Sequence, residues 1–293
     1  MTRVLGIDHP LILFRDLPAG VEQFRRLGFA PAPMGYHPWG TSMSFVTFER
    51  CAFELLSIYD ASLIDKNSAG DFQFGRYIFD RLNEREGMSL VALYSTDAEA
   101  DAATVEARGL ACQGTIEFGR AVRLRDGRED RTACTLKILF DPNLKRVSHF
   151  ICQQHRPDLV WREPLMTHLN GATGIASISY FAPDPSRLRD RFAGLYGAGA
   201  ETPIDGGFSV QTRNGVFEVL DRQAVDNRFG GLPGQVDASE PAGIAVAVTV
   251  RDLAAATEIL RRENVAFAER DGGILVSRSQ EFGNIWIEFV RRT

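Results

Sequence analysis

A chain of 293 residues is long enough for two domains of ordinary size, and 44% hydrophobic with 24% charged residues places it among globular rather than disordered proteins. A formal net charge of -5 excludes a general attraction to nucleic acid or to an anionic membrane. The amino terminus lacks the pattern of a secretory signal, and no apolar stretch reaches bilayer length, so a cytoplasmic protein is expected, its four scattered cysteines reduced and buried.

In chain order, residues 6–17 (G-I-D-H-P-L-I-L-F-R-D-L) read as an apolar strand running into a turn, followed by an amphipathic helix over 20–27 that stops at Gly28. Strand-like segments at 29–32, 41–48 and 52–58 complete the unit. Residues 60–87 begin as a polar loop and continue as a helix over 74–84. The opening layout then returns at 87–97, 174–184 and 243–252. By subtraction, the leading Gly and the closing Asp are ten residues apart in three copies and nine in the fourth. From that Asp to the helix end (Gly28, Gly109, Gly197, Asn264) the spacing is twelve, twelve, thirteen and twelve. Asp16, Asp97, Asp184 and Asp252 are therefore expected to cap helices, accepting from free N–H groups at the positive end.

Further strands are expected at 122–125, 132–140 and 147–152 in the second copy, 206–210 and 215–220 in the third, and 265–268, 274–277 and 284–290 in the fourth. A composition break at 153–173 divides the chain into an amino-terminal domain, 1–152, and a carboxy-terminal one, 174–293. The Gly- and Pro-rich stretch 227–241 joins the last two copies.

Four strand, helix, three-strand units resemble the vicinal oxygen chelate superfamily. The motifs G-I-D-H at 6–9, H-P-W-G-T at 37–41 before F-E-L-L at 53–56, F-I-C-Q-Q-H-R-P-D-L-V-W-R at 150–162 and H-L-N-G-A-T-G-I at 168–175 are similar to its glyoxalase-like domain proteins. The resemblance implies an α+β fold, four βαβββ modules paired into two cup-shaped mixed sheets, with inward-facing metal ligands on the first and fourth strands of each unit. Carried over, the ligand slots of the first cup hold His9 and Glu54 from unit one, Leu90 and His149 from unit two. Two imidazoles and a carboxylate suit one divalent ion, Fe, Mn, Ni or Zn, which would polarise a carbonyl or enediolate oxygen or hold a catecholate beside dioxygen. The second cup offers Ser177, Glu218, Val246 and Glu288 without a histidine, and reads as structural, a lid or a dimer surface.

Each candidate has an ordinary reading beside the functional one. His9 is a metal ligand or a hydrogen-bonded core residue. Glu54, the proposed ligand and catalytic carboxylate, faces inward if strand alternation sets it opposite Phe53 and Leu55, and is otherwise a surface residue. His149 depends on register, because a one-residue shift turns it to the other face. His37, in a rim loop, contacts substrate as a catalytic group or anchors its loop. Tyr36, Trp39 and Phe45 are candidates to line a flat-ligand site. Arg123 and Arg125, from a basic cluster that includes Arg120, Arg131 and Lys137, bind a substrate carboxylate or belong to a solvated hairpin. The expected function is a metal-dependent isomerase, lyase or dioxygenase acting on a small oxygenated molecule; the alternative is a non-catalytic sequestering protein. A homodimer is the one protein assembly in view.

Overall fold

The hydrophobic repeat becomes four modules in the computed structural model, which describes residues 5–124 and 126–291. Module one is β1 (Gly6–Leu13), α1 (Leu17–Arg26), β2 (Gly35–Tyr36), β3 (Thr41–Thr47) and β4 (Ala52–Ile58). A small hairpin, β5 (Ser68–Ala69) and β6 (Phe72–Gln73), then leads into α2 (Phe74–Glu84). Module two is β7 (Gly87–Tyr94), α3 (Ala98–Ala107) and β8 (Thr115–Phe118), an inserted hairpin of β9 (Ala121–Arg123) and β10 (Glu129–Arg131), then β11 (Cys134–Leu139) and β12 (His149–Gln154). After a one-turn α4 (Pro157–Val160), module three runs β13 (Ala172–Phe181), α5 (Arg189–Tyr196), β14 (Glu201–Ile204), β15 (Gly207–Gln211) and β16 (Val216–Leu220). α6 (Arg222–Phe229) precedes module four, β17 (Ala242–Val250), α7 (Leu253–Arg262), β18 (Phe267–Arg270), β19 (Gly273–Val276) and β20 (Trp286–Arg291).

Modules pair through their first strands. β1 and β7 are antiparallel neighbours at the centre of an eight-stranded sheet, order β2-β3-β4-β1-β7-β12-β11-β8. The second sheet repeats that plan as β14-β15-β16-β13-β17-β20-β19-β18. Each fourth strand joins its own first strand in parallel, as β4 joins β1 and β12 joins β7, which the intervening helix makes possible. The predicted α+β fold of four βαβββ modules in two mixed sheets is the observed one.

The repeated aspartates cap as expected. Asp16, Asp97, Asp184 and Asp252 accept from the backbone N–H of Ala19, Ala100, Ser186 and Ala254. Alternation then divides each strand between two cores. Residues such as Ile7, Phe53, Val91 and Ile151 join the module helices and the back of the other sheet in one shared cluster, while Leu11, Leu56, Leu90, Ala92, Phe150 and Cys152 line the concave face of the first sheet. A smaller cluster, including Phe181, Val225, Phe229 and Ala245, fills the second concavity.

Several expectations need correction. The segment 29–32 is not a strand: Pro31 and Pro33 cannot donate to a ladder, Ala32 N–H makes a bond to the Phe45 carbonyl, and the ladder itself starts at Gly35. In module two the sheet edge is β8, while 121–123 belongs to the separate hairpin with β10. α6 lies between the expected strand 215–220 and the expected joining segment 227–241, and takes up the first residues of that segment as helix. All four cysteines are free, and only Cys112 is partly exposed.

Candidate active site

The concave face of the first sheet carries a buried polar cluster. Bulges in the β1–β7 ladder, one between Ile7 and His9, interrupt the plain alternation, and both Asp8 and His9 are buried there. Asp8 Oδ1 lies 2.6 Å from His9 Nδ1, which leaves His9 Nε2 facing Glu54 Oε2 at 3.3 Å. Glu54 comes from β4 and reaches the same face as Leu56, as strand alternation requires. The loop between β2 and β3 supplies the third group. Its turn closes with Gly40 N–H donating to the His37 carbonyl, and Gly40 adopts φ +82°, the left-handed region that suits glycine. This fixes His37 Nδ1 at 2.9 Å from Thr41 Oγ1 and Nε2 at 3.7 Å from Glu54 Oε1.

Burial and charge set the protonation of the three. Burial disfavours the charged form of His9, yet hydrogen bonds to Asp8 and Glu54 override it and raise its pKa to about 9. His37 is pushed down to about 4, first by burial and further by Arg120 and His9, against the pull of Glu54. Burial alone would raise the Glu54 carboxyl; its hydrogen bond to His9 and the surrounding cations hold it below the usual range, so it is ionised.

Above the cluster lies a narrow cavity whose walls include Phe45, Phe74, Phe118 and Phe150. His37 stacks on Trp39 at 4.8 Å, and the Trp39 indole N–H is buried without a hydrogen-bond partner. Arg120, in the loop between β8 and β9, also lines the cavity. Its backbone is held by Thr132, while its guanidinium meets the Met43 sulfur at 3.4 Å and lies over the Phe45 ring. The inner cavity shares Phe45, Arg120 and Val160 with a larger outer one, which Tyr36 and Arg123 help to line.

His149 does not join this cluster. It projects from the opposite face of β12 into the shared core, where its Nδ1 accepts from Arg191 Nε at 3.2 Å and its Nε2 meets the Tyr180 hydroxyl at 3.1 Å. Both ring nitrogens are committed, and burial beside Arg191 holds its pKa well below 6.5. The neighbours Phe150 and Cys152 face the cavity instead, so a one-residue register difference removes His149 from the ligand set. Tyr36 is 55% exposed at the rim, Trp39 is buried in the inner wall, and Arg123 is exposed on β9. Arg125 lies outside the described residues. Arg120, one of the basic cluster, is the member that enters the inner cavity, and no local sequence signal sets it apart.

The remaining set is His9, His37 and Glu54. As placed, the two imidazole Nε2 atoms address different oxygens of one carboxylate, and among the described residues no group of three or more His, Cys, Asp or Glu is positioned to hold a metal ion. The donor chemistry itself fits a divalent cation. One imidazole is anchored at Nδ1 by a carboxylate and the other by a hydroxyl, and both present Nε2 to an ionised Glu54.

The repeat agrees with comparison to known proteins. A family model described as a glyoxalase-like domain matches residues 7–196. The chain belongs to the glyoxalase-like domain family. A search of curated proteins finds no match. Among solved structures, a hypothetical protein from Staphylococcus aureus superposes with TM-score 0.69 at 13% identity, covering 99% of this chain and 100% of that one. The Mn(II)-bound glyoxalase from Novosphingobium aromaticivorans gives 0.54 at 13% identity, with 99% and 83% covered. A mutant 4-hydroxymandelate synthase from Streptomyces coelicolor gives 0.51 at 12%, with 100% and 94% covered. At these identities the likeness is one of fold. No helix among the described residues is long and apolar enough to cross a membrane.

Proposed function

We propose that the amino-terminal cup of this glyoxalase-like protein is the active site of an enzyme acting on a small oxygenated organic molecule, with a divalent cation held by His9, His37 and Glu54. The observation that carries the reading is the pair of anchored imidazoles converging on one ionised, buried carboxylate at the floor of an aromatic cavity. The Mn(II) of a structural neighbour with the same fold supports the choice of cofactor class. When bound, such an ion supplies Lewis-acid polarisation of a substrate oxygen.

The chain's own groups do the rest. Phe45, Phe118 and Phe150 exclude water from the reacting end and strengthen every charge interaction there. Arg120 meets negative charge on a substrate oxygen. Glu54 Oε1, the oxygen that does not face His9, is the atom that holds or passes a proton, with Thr41 fixing the ring orientation of His37. This arrangement suits isomerase or lyase chemistry next to a carbonyl, and dioxygenase chemistry uses the same ligand set.

Metal analysis by mass spectrometry on protein expressed in supplemented medium tests the proposal. It expects one divalent ion per chain, lost in His9→Ala and His37→Ala and kept in His149→Gln. Metal-free protein under these conditions would sink it. A second reading, a sequestering protein, is favoured by the His9–Glu54 contact at 3.3 Å, which satisfies both groups within the chain; recovery of a bound ligand unchanged after long incubation would select it.

A further inference from the structure

The outer cavity has an unusual electrostatic lining. Among the described residues, three arginines line it, Arg120, Arg123 and Arg162, and no aspartate or glutamate does, in a chain of net charge -5. Several arginines elsewhere pair with carboxylates, Arg156 with Asp130, Arg189 with Glu201, Arg222 with Asp226 and Arg228 with Glu218, while Arg108 and Arg191 are held by a carbonyl and by His149. The three cavity arginines form no ion pair with a described carboxylate, and even Glu129, opposite Arg123 in the hairpin ladder, makes none with it. Arg162 adds an independent sign, because its guanidinium Nε is buried without a hydrogen-bond partner. A buried charged donor without a partner is costly, and an anion bound beside Arg162 would give its guanidinium one.

Local backbone chemistry keeps Arg120 in place. Arg120 is held by its own backbone bonds to Thr132, and Gly35 makes room for its head group: a Cβ at Gly35 would lie 2.5 Å from Arg120 Nη1. Between the cations the wall is apolar, with Met34, Leu159 and Leu165.

We infer that the ligand of this cup is an organic polyanion, whose group of two or more negative charges is held in the outer cavity by Arg120, Arg123 and Arg162 while its other end enters the inner cavity. Which end reacts rests on the active-site reading above; the anion site does not. Three guanidiniums in a partly desolvated cavity favour a multiply charged oxyanion over a monoanion, because each adds a charge-assisted hydrogen bond. A phosphate ester and a polycarboxylate share that chemistry.

Calorimetric titration with pyrophosphate, citrate and acetate at one ionic strength tests the site. Pyrophosphate, citrate or both are expected to bind at least about tenfold more tightly than acetate. Preference for pyrophosphate points to a phosphate ester, preference for citrate to a polycarboxylate, and equal affinity to recognition by charge alone; all three support the inference. Arg162→Gln and Arg123→Gln should each weaken binding by roughly threefold to tenfold, and Gly35→Ala, which displaces Arg120, by a similar factor. Leu165→Glu, placing a carboxylate in the wall, should abolish the preference while the melting temperature stays unchanged. Polyanions binding no better than acetate, or an Arg123→Gln/Arg162→Gln double variant binding like the parent, would overturn it. Metal content measured on the same preparations keeps this result separate from the fate of the metal proposal.

Discussion

The two cups are built on one plan and have opposite polar interiors. In the first, Glu54 meets His9 and His37 beneath a cavity. In the second, Glu218 and Glu288 occupy the matching fourth strands, but Arg228 of α6 reaches both, at 2.8 Å and 2.7 Å, while Ser177 and Ser179 donate to Glu218. The same helix brings Phe229 onto Trp286 in a stack with an interplanar angle of 5°. A carboxylate at the fourth strand is thus common to the scaffold, and what differs is its partner: a cation from the chain itself in one cup, imidazoles facing a cavity in the other. The inserts after modules one and three decide this. α2 packs Phe74, Tyr77 and Ile78 on the cup wall and leaves room over His9, whereas α6 delivers an arginine to the floor.

The strongest way to break the comparison is to remove the carboxylate from each cup in turn. Glu54→Gln is expected to take bound divalent metal from one equivalent to none, a loss of more than about a hundredfold in affinity, because the ionised donor between the two imidazoles disappears. Glu288→Gln should leave metal content unchanged. Equal effects in the two cups would erase the functional distinction drawn between them.

Arg228→Met attacks the second cup from the other side. It leaves two largely buried carboxylates facing each other without their cation, and stability should fall by about 3 kcal/mol in chemical denaturation. Adding Glu218→Gln and Glu288→Gln to that variant should restore most of the loss. Failure to recover would mean that α6 is held by its apolar face rather than by the charge cluster.

Much of this was legible in the chain. The Gly-to-Asp spacing located all four first strands, the four aspartates cap as their positions implied, and the helix over 74–84 runs between the expected ends. Alternation placed Glu54 on the concave face. What failed turns on single-residue register and on loops. His149 and Phe150 are adjacent, both apolar-compatible, and only the β11–β12 and β7–β12 ladders decide which of them faces the cup. Among the arginines of the 120–131 hairpin, nothing local distinguishes Arg120; its entry into the cavity depends on where Phe45 and Gly35 of another module stand. α6 was hidden because its polar composition has little helical periodicity, and its role comes from Arg228 meeting strands distant in sequence.

Two histidines of the first sheet offer a comparison within one layer. His9 on the cup face has its pKa raised to about 9, and His149 on the core face has its pKa lowered well below 6.5. The raised group contributes stability that is complete below the unfolded value near 6.5 and is lost as pH climbs through about 9. The lowered group contributes stability present above 6.5 and lost as pH falls below it. Metal-free protein should therefore lose stability at both ends, by on the order of 2–3 kcal/mol at the alkaline end. His9→Gln should flatten the alkaline limb and His149→Gln the acid limb. Denaturation midpoints across this range that respond identically in both variants would show that the faces are not electrostatically distinct.

The smallest expected effect tests whether the anchoring of the imidazoles matters as well as their presence. Thr41 touches only His37 Nδ1 within the cluster, and its backbone carbonyl also closes the turn by accepting from His37 N–H, so Thr41→Val removes one hydroxyl contact while keeping shape and β-branching. If His37 is oriented by that contact, metal affinity should drop by roughly tenfold with little change in melting temperature, since hydrogen bonds that fix a ligating ring are worth about that much. Ser209 in β15, at the carboxy-terminal cup's edge, meets only the Thr202 carbonyl at 3.5 Å, and Ser209→Ala should change nothing measurable. An unchanged affinity in Thr41→Val would place His37 among the packing residues of the Trp39 stack and leave His9 and Glu54 as the only donors, a pair too small to hold a divalent ion without help from the ligand.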